Sequence, residues 1–211
     1  MRIDPAGWPF IWGGAVVAAL IVAAAGWPWG LVAVALPCFF LFFFRDPERV
    51  IGGGPADVVS PADGRVMIVG DPVGEFAGST WRQISIFLSP MDVHVNRMPV
   101  GGRVTSVRYH SGRFLPAYRR EAGDLNEYTE VTLDVGGRSV IVRQIVGILA
   151  RRIVCRVREG DVVARGARFG VMKFGSRMDV FLPAEARVLT AVGDHVRGGE
   201  TIIASFEPEA S

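Results

Sequence analysis

Hydrophobic residues crowd one end of this chain. From Trp8 to Phe44 no residue carries a charge, and Arg45-Asp46-Pro47-Glu48-Arg49 closes the stretch. Crossing a bilayer takes about 20 apolar residues, so the run is long enough for two short passes. Gly26-Trp27-Pro28-Trp29-Gly30 interrupts it with the turn chemistry of Gly and Pro. The two tryptophans there suit a membrane interface. The pattern predicts a tight helical hairpin over 8–25 and 29–44, or one pass followed by a re-entrant segment. Arg2 precedes the run and Arg45 and Arg49 follow it, so the positive-inside rule puts both ends in the cytoplasm. No small-residue cleavage site precedes a clean mature start, and the second apolar run also argues against a signal peptide.

After Pro55 the pattern shifts to short alternating runs bounded by Gly, Pro or Asp. Stretches 66–69, 83–88, 104–108, 130–135, 139–143 and 186–189 read as strands. Gly136-Gly137 reads as a two-residue hairpin turn. Residues 158–167 and 191–200 share the pattern x-Gly-Asp-x-Val-x-x-Gly, in which the aspartate can bond its own backbone between turn glycines. The expected architecture is a membrane-anchoring hairpin over 1–50 and a mostly β domain over 51–211. The repeat resembles barrel-sandwich folds of the lipoyl and biotinyl type.

Composition adds little to this picture. Hydrophobic residues make up 50% of the 211, and mean hydropathy is +0.32; the excess lies in the first 50 positions. Net charge is +2, and no basic run marks a nucleic-acid surface. Cys38 and Cys155 offer neither metal spacing nor a disulfide framework, as fits a reducing compartment.

The candidate chemistry centres on Gly175-Ser176, which joins two strand-like segments. A serine there can attack the preceding carbonyl and cut its own chain; read blandly, Gly-Ser is a common turn. His94 is the best base or acid, since imidazole is poised near neutral pH. Asp63 or Asp92 could orient it, although Asp before Gly is more often a turn former. His110 and His195 look peripheral. A rival reading is a membrane-anchored biotinyl or lipoyl carrier: Met172-Lys173 at a hairpin tip would be its modified site, and Lys173 is the only lysine.

Four segments, in order and spacing, resemble phosphatidylserine decarboxylase proenzymes of the short bacterial and archaeal type. They are Phe44-Arg45-Asp46-Pro47-Glu48-Arg49, Ser60-Pro61-Ala62-Asp63-Gly64, Leu88 to Pro99 around Asp92-Val93-His94, and Phe174-Gly175-Ser176-Arg177-Met178-Asp179-Val180. The resemblance implies self-cleavage into a β chain of residues 1–175 and an α chain of residues 176–211. It implies that Ser176 becomes a covalent pyruvoyl group, which takes the substrate amine as a Schiff base and acts as electron sink. Phosphatidylserine in the membrane would then yield phosphatidylethanolamine and carbon dioxide, with no metal and no diffusible cofactor. The two chains would stay together as a heterodimer, and further dimerisation is left open. The family position for the carboxylate partner of His94 is Asp63. Many longer members carry a second histidine where this chain has Arg97, which could instead bind the phosphate or carboxylate of the substrate. Asn126 and Glu127 resemble a segment that follows a mobile loop, here 112–123 with Phe114, Pro116 and Tyr118, and are expected to line the site.

Overall fold

Residues 2–72, 76, 80–148, 153–173 and 175–206 are described in a computed structural model of the chain. The strands, in order, are β1 (Arg2–Ile3), β2 (Arg45–Asp46), β3 (Asp57–Val59), β4 (Gly64–Gly70), β5 (Trp81–Leu88), β6 (Val95–Arg97), β7 (Gly102–His110), β8 (Tyr128–Val135), β9 (Arg138–Ile145), β10 (Val154–Cys155), β11 (Val162–Val163), β12 (Arg168–Val171), β13 (Ser176–Pro183), β14 (Arg187–Val188), β15 (His195–Val196) and β16 (Ile202–Ser205). The helices are α1 (Trp8–Ala25), α2 (Gly30–Phe43) and the single turn α3 (Ala122–Leu125). The chain divides into two compact units, Met1–Glu48 and Arg49–Ser211, with the break two residues before the expected one.

In the first unit α1 and α2 pack on each other, as the hairpin reading expects. Gly14 allows the approach: a Cβ there would lie 3.3 Å from both Phe40 Cδ2 and the Pro37 nitrogen. Strand β1 pairs with β2 and ties the two ends of the hairpin together. Both helices are apolar all round, the pattern of a buried or membrane-spanning helix. Trp12, Leu20, Trp27, Leu31 and Val32 are nonetheless exposed. Pro5–Ala25, at 21 residues and mean hydropathy 1.9, is long and apolar enough to cross a membrane, while Trp27–Phe43 is shorter.

The second unit is mostly β. Its eight-stranded antiparallel sheet runs β11-β7-β8-β9-β13-β5-β4-β15, with two three-stranded sheets, β10-β12-β6 and β14-β16-β3, beside it. These strand orders are linear, and among the described residues no sheet closes on itself. The two copies of the sequence repeat supply the opposite edges of the large sheet. Asp161 accepts from Arg158 N, and Asp194 accepts from Ala191 N, each at 2.8 Å. The Ala191 amide, with the Thr190 hydroxyl after it, holds the Asp194 carboxyl below its ordinary range. Gly160 and Asp161 exchange backbone bonds with Val104, and Gly193 and Asp194 do the same with Val66. Even the flanking sequence repeats, as Gly64-Arg65-Val66 and Gly102-Arg103-Val104.

Strand β13 lies between β9 and β5 and is buried along most of its length. Period-two alternation explains how. Met178, Val180 and Leu182 join Ile84, Ile86 and Leu88 of β5 in the hydrophobic core. The other face carries Arg177, Asp179 and Phe181, also buried.

Candidate active site

Ser176 opens β13, opposite Leu88 of β5. It has no exposed surface, and its Oγ has no hydrogen-bond partner among the described residues. Buried hydroxyls are normally satisfied, so an unpartnered one beside a glycine points to chemistry rather than packing. Gly175 has φ +73°, a region open to glycine and strained for other residues. Phe174, the remaining member of this motif's start, lies outside the described residues. Strands β12 and β13 belong to different sheets and do not pair with each other. The connection that holds Met172, Lys173 and Gly175 is therefore a crossing between sheets, not the hairpin tip that a carrier domain would present.

His94 is fully buried, immediately before β6. Its carbonyl accepts from Met172 N at 3.2 Å. Segments 88–94 and 172–176 are therefore pinned together at both ends, by the His94–Met172 bond and by the Leu88–Ser176 pair. The imidazole Nδ1 lies 2.9 Å from the Asp92 carbonyl oxygen. A carbonyl only accepts, so the proton belongs on Nδ1 and the lone pair of the neutral ring on Nε2. Asp92 thus supports His94 through its main chain, while its carboxylate accepts from Ser89 N at 2.8 Å and shapes the turn.

Asp63 is placed differently. Arg49 donates to one of its oxygens at 2.7 Å and Gly198 N to the other at 2.8 Å. Arg49 also reaches Glu200 at 3.2 Å. Arg97 is buried and donates to the Gly166 carbonyl at 3.0 Å. Asn126 is buried; its Oδ1 accepts from Leu115 N, and its Nδ2 donates to the Leu115 and Val146 carbonyls, all at 2.8 Å. It therefore clamps the 112–123 segment to the end of β9. Glu127 N donates to the Arg113 carbonyl, and the Glu127 carbonyl accepts from Val146 N. The Tyr109 phenol is pushed up by desolvation and then by hydrogen bonding to Glu127. His110 stacks on Tyr128 at 4.4 Å, and His195 is exposed on edge strand β15.

An apolar pocket of about 370 Å³ is lined by Phe87, Pro90, Pro116, Ala117, Tyr118, Ile148 and Gly175. The expected loop thus walls a pocket that includes the residue before Ser176. Tyr118 and Ile148 at its rim are 62% and 56% exposed, more apolar surface than a wall facing only water needs.

Two groups near Ser176 escaped sequence reasoning. Arg177 has no exposed surface. It grips Asp179 through two bonds at 2.6 and 2.7 Å, reaches Ser85 Oγ at 3.1 Å, and donates to the Arg119 and Arg120 carbonyls at 3.3 Å. It therefore ties the start of β13 to the segment that walls the pocket. The clue was the Arg-x-Asp spacing, which puts both side chains on one face of a strand. The second group is a buried amide pair, with Gln144 donating to Asn96 Oδ1 at 2.8 Å. Period two puts Asn96 on the His94 side of β6, but no local pattern linked it to Gln144.

The family model for phosphatidylserine decarboxylase matches residues 36–204. A phosphatidylserine decarboxylase proenzyme of Chlorobium chlorochromatii is 47% identical over 82% of this chain and 82% of its own length. Another, from Granulibacter bethesdensis, is 46% identical over 97% and 85%, and one from Nitratidesulfovibrio vulgaris is 42% identical over 100% and 98%. With the resemblance of the four motifs carried through nearly the whole sequence, the chain belongs to the phosphatidylserine decarboxylase family.

Proposed function

We propose that the protein is a self-cleaving, pyruvoyl-dependent decarboxylase that converts membrane phosphatidylserine to phosphatidylethanolamine and carbon dioxide. The observation that carries this reading is Ser176: a buried hydroxyl with no partner among the described residues, directly after a glycine of positive φ that lines an apolar pocket. Ser176 Oγ adds to the Gly175 carbonyl carbon, and the peptide C–N bond breaks as the Ser176 nitrogen takes a proton, leaving an ester. A base removes the Ser176 α-proton, the Cβ–Oγ bond breaks, and Gly175 departs as a carboxylate. The dehydroalanine left at 176 tautomerises and takes up water, releasing ammonia and leaving a ketone. That pyruvoyl ketone supplies the electron sink for decarboxylation. The site suits it, because residue 176 stays embedded in β13 and next to the pocket.

The neutral His94 tautomer, with Nδ1 held by the Asp92 carbonyl, makes Nε2 the candidate base. General-base help of this kind contributes roughly 10²–10⁴-fold. Asp63 serves as an anchor for Arg49 and the Gly198 turn. The apolar pocket and its exposed Tyr118 and Ile148 suit the glycerol and upper acyl part of a lipid. Arg113, Arg119 and Arg120, exposed on the same segment, suit an anionic membrane. The apolar hairpin and its flanking arginines support anchorage at the cytoplasmic face of the cell membrane, with the α and β chains held as a heterodimer.

Intact-mass measurement of the purified protein tests this. Wild type is expected as two chains, 1–175 and 176–211, the smaller blocked by a pyruvoyl group. Ser176→Ala stays whole at 22.8 kDa and releases no carbon dioxide from phosphatidylserine vesicles, and His94→Ala matures far more slowly. A single unmodified chain from an active preparation overturns the self-cleavage reading. A cut enzyme that releases no carbon dioxide overturns the decarboxylation reading.

A further inference from the structure

Gly147 follows β9 by two residues and meets the scissile peptide directly. A Cβ built on it overlaps the Gly175 carbonyl oxygen and lies 3.2 Å from the Gly175 carbonyl carbon. Its third neighbour is Ala117 Cβ at 3.4 Å, from the pocket wall. The backbone of Gly147 is not left-handed, so its own conformation admits alanine. What excludes a side chain at 147 is the Gly175 carbonyl, and among the described residues nothing else lies as near.

We propose that Gly147 is a positioning residue for self-cleavage: the space left by its missing side chain is the notch that seats the Gly175 carbonyl oxygen while Ser176 Oγ attacks the carbon. This rests on the serinolysis reading given above. The Gly147 Cα–H that takes the place of the side chain faces the oxygen; it is a weak donor, and it sits where charge develops as the carbonyl becomes tetrahedral. A methyl group in the notch pushes the oxygen out by about 1 Å to reach ordinary C···O contact. Misplacement of a reacting group on that scale costs on the order of 100-fold in rate. The effect falls on the step that forms the ester, because the oxygen moves before any bond has broken.

The test follows the cut in Gly147→Ala over time by intact mass, with hydroxylamine added to trap any ester. The expected result is a cutting rate reduced about 100-fold and no build-up of hydroxylamine-cleavable chain. The fold is checked without cleavage by comparing Tm of Ser176→Ala with that of Ser176→Ala/Gly147→Ala, expected within a few degrees. Cutting at the wild-type rate overturns the proposal, as does an ester that accumulates normally and stalls later. A double variant that fails to fold also overturns it, since Gly147 would then hold the sheet rather than the carbonyl. A wild-type chain that stays whole removes the serinolysis reading itself, and so is distinct from these outcomes.

Discussion

Arg177 and Asp179 form an ion pair with almost no access to water, with side-chain exposures of 0% and 1%. Such pairs hold only when the remaining donors are satisfied, and here Ser85 and the Arg119 and Arg120 carbonyls take them. Asp179→Ala leaves a buried guanidinium without its counter-charge, a change that costs about 3–5 kcal/mol. A fall of that size in urea unfolding, measured in the uncut Ser176→Ala background, is the expected outcome; a shift under about 1 kcal/mol would contradict the buried-pair account. At this scale the motifs singled out Ser176 and His94, and both prove to be buried. The sequence was silent on Gly147, whose meaning lies in an oxygen 28 positions along the chain.

Among the elements, the segment from Arg113 to Asn126 supplies Pro116, Ala117 and Tyr118 to the wall of the pocket. It holds one turn of helix, and Asn126 supplies three of its ties. Asn126→Ala removes all three, and each lost bond is worth roughly 1 kcal/mol net. Backbone amides of 113–123 are expected to exchange faster with deuterium by about one to two powers of ten, while those of β13 stay unchanged. Equal protection in both proteins would show that other contacts hold the segment. Sequence alternation located β4, β5, β7, β8 and β9 closely, because each runs seven residues or more and has one face in the core. The stretch 186–189 shrinks to the two residues of β14. Strands of two to four residues show too few alternations to be read, and so the three-stranded sheets, β14 apart, were invisible in the sequence.

At the level of the whole molecule, the residues after the proposed cut are woven into those before it. Strand β13 has β9 on one side and β5 on the other, β15 completes the edge at β4, and β16 pairs with β3. The two chains of the matured protein are therefore expected to co-elute in size-exclusion chromatography and to separate only in denaturant. Elution of a free 176–211 chain from native buffer would refute that interlocking. The sequence repeat gave a glimpse of this arrangement, since its two copies close opposite edges of one sheet. What it lacked was the pairing of β15 with β4 and of β16 with β3, whose partners lie more than a hundred positions apart.

The burial of Ser176 also governs how activation proceeds in time. A nucleophile with no exposed surface cannot reach the chain of a neighbouring copy, and attacks only the carbonyl that precedes it in its own. Under the proposed chemistry each molecule keeps its own clock. Maturation is first order, runs at one pace whether the protein is scarce or abundant, and neither spreads from copy to copy nor needs a starter.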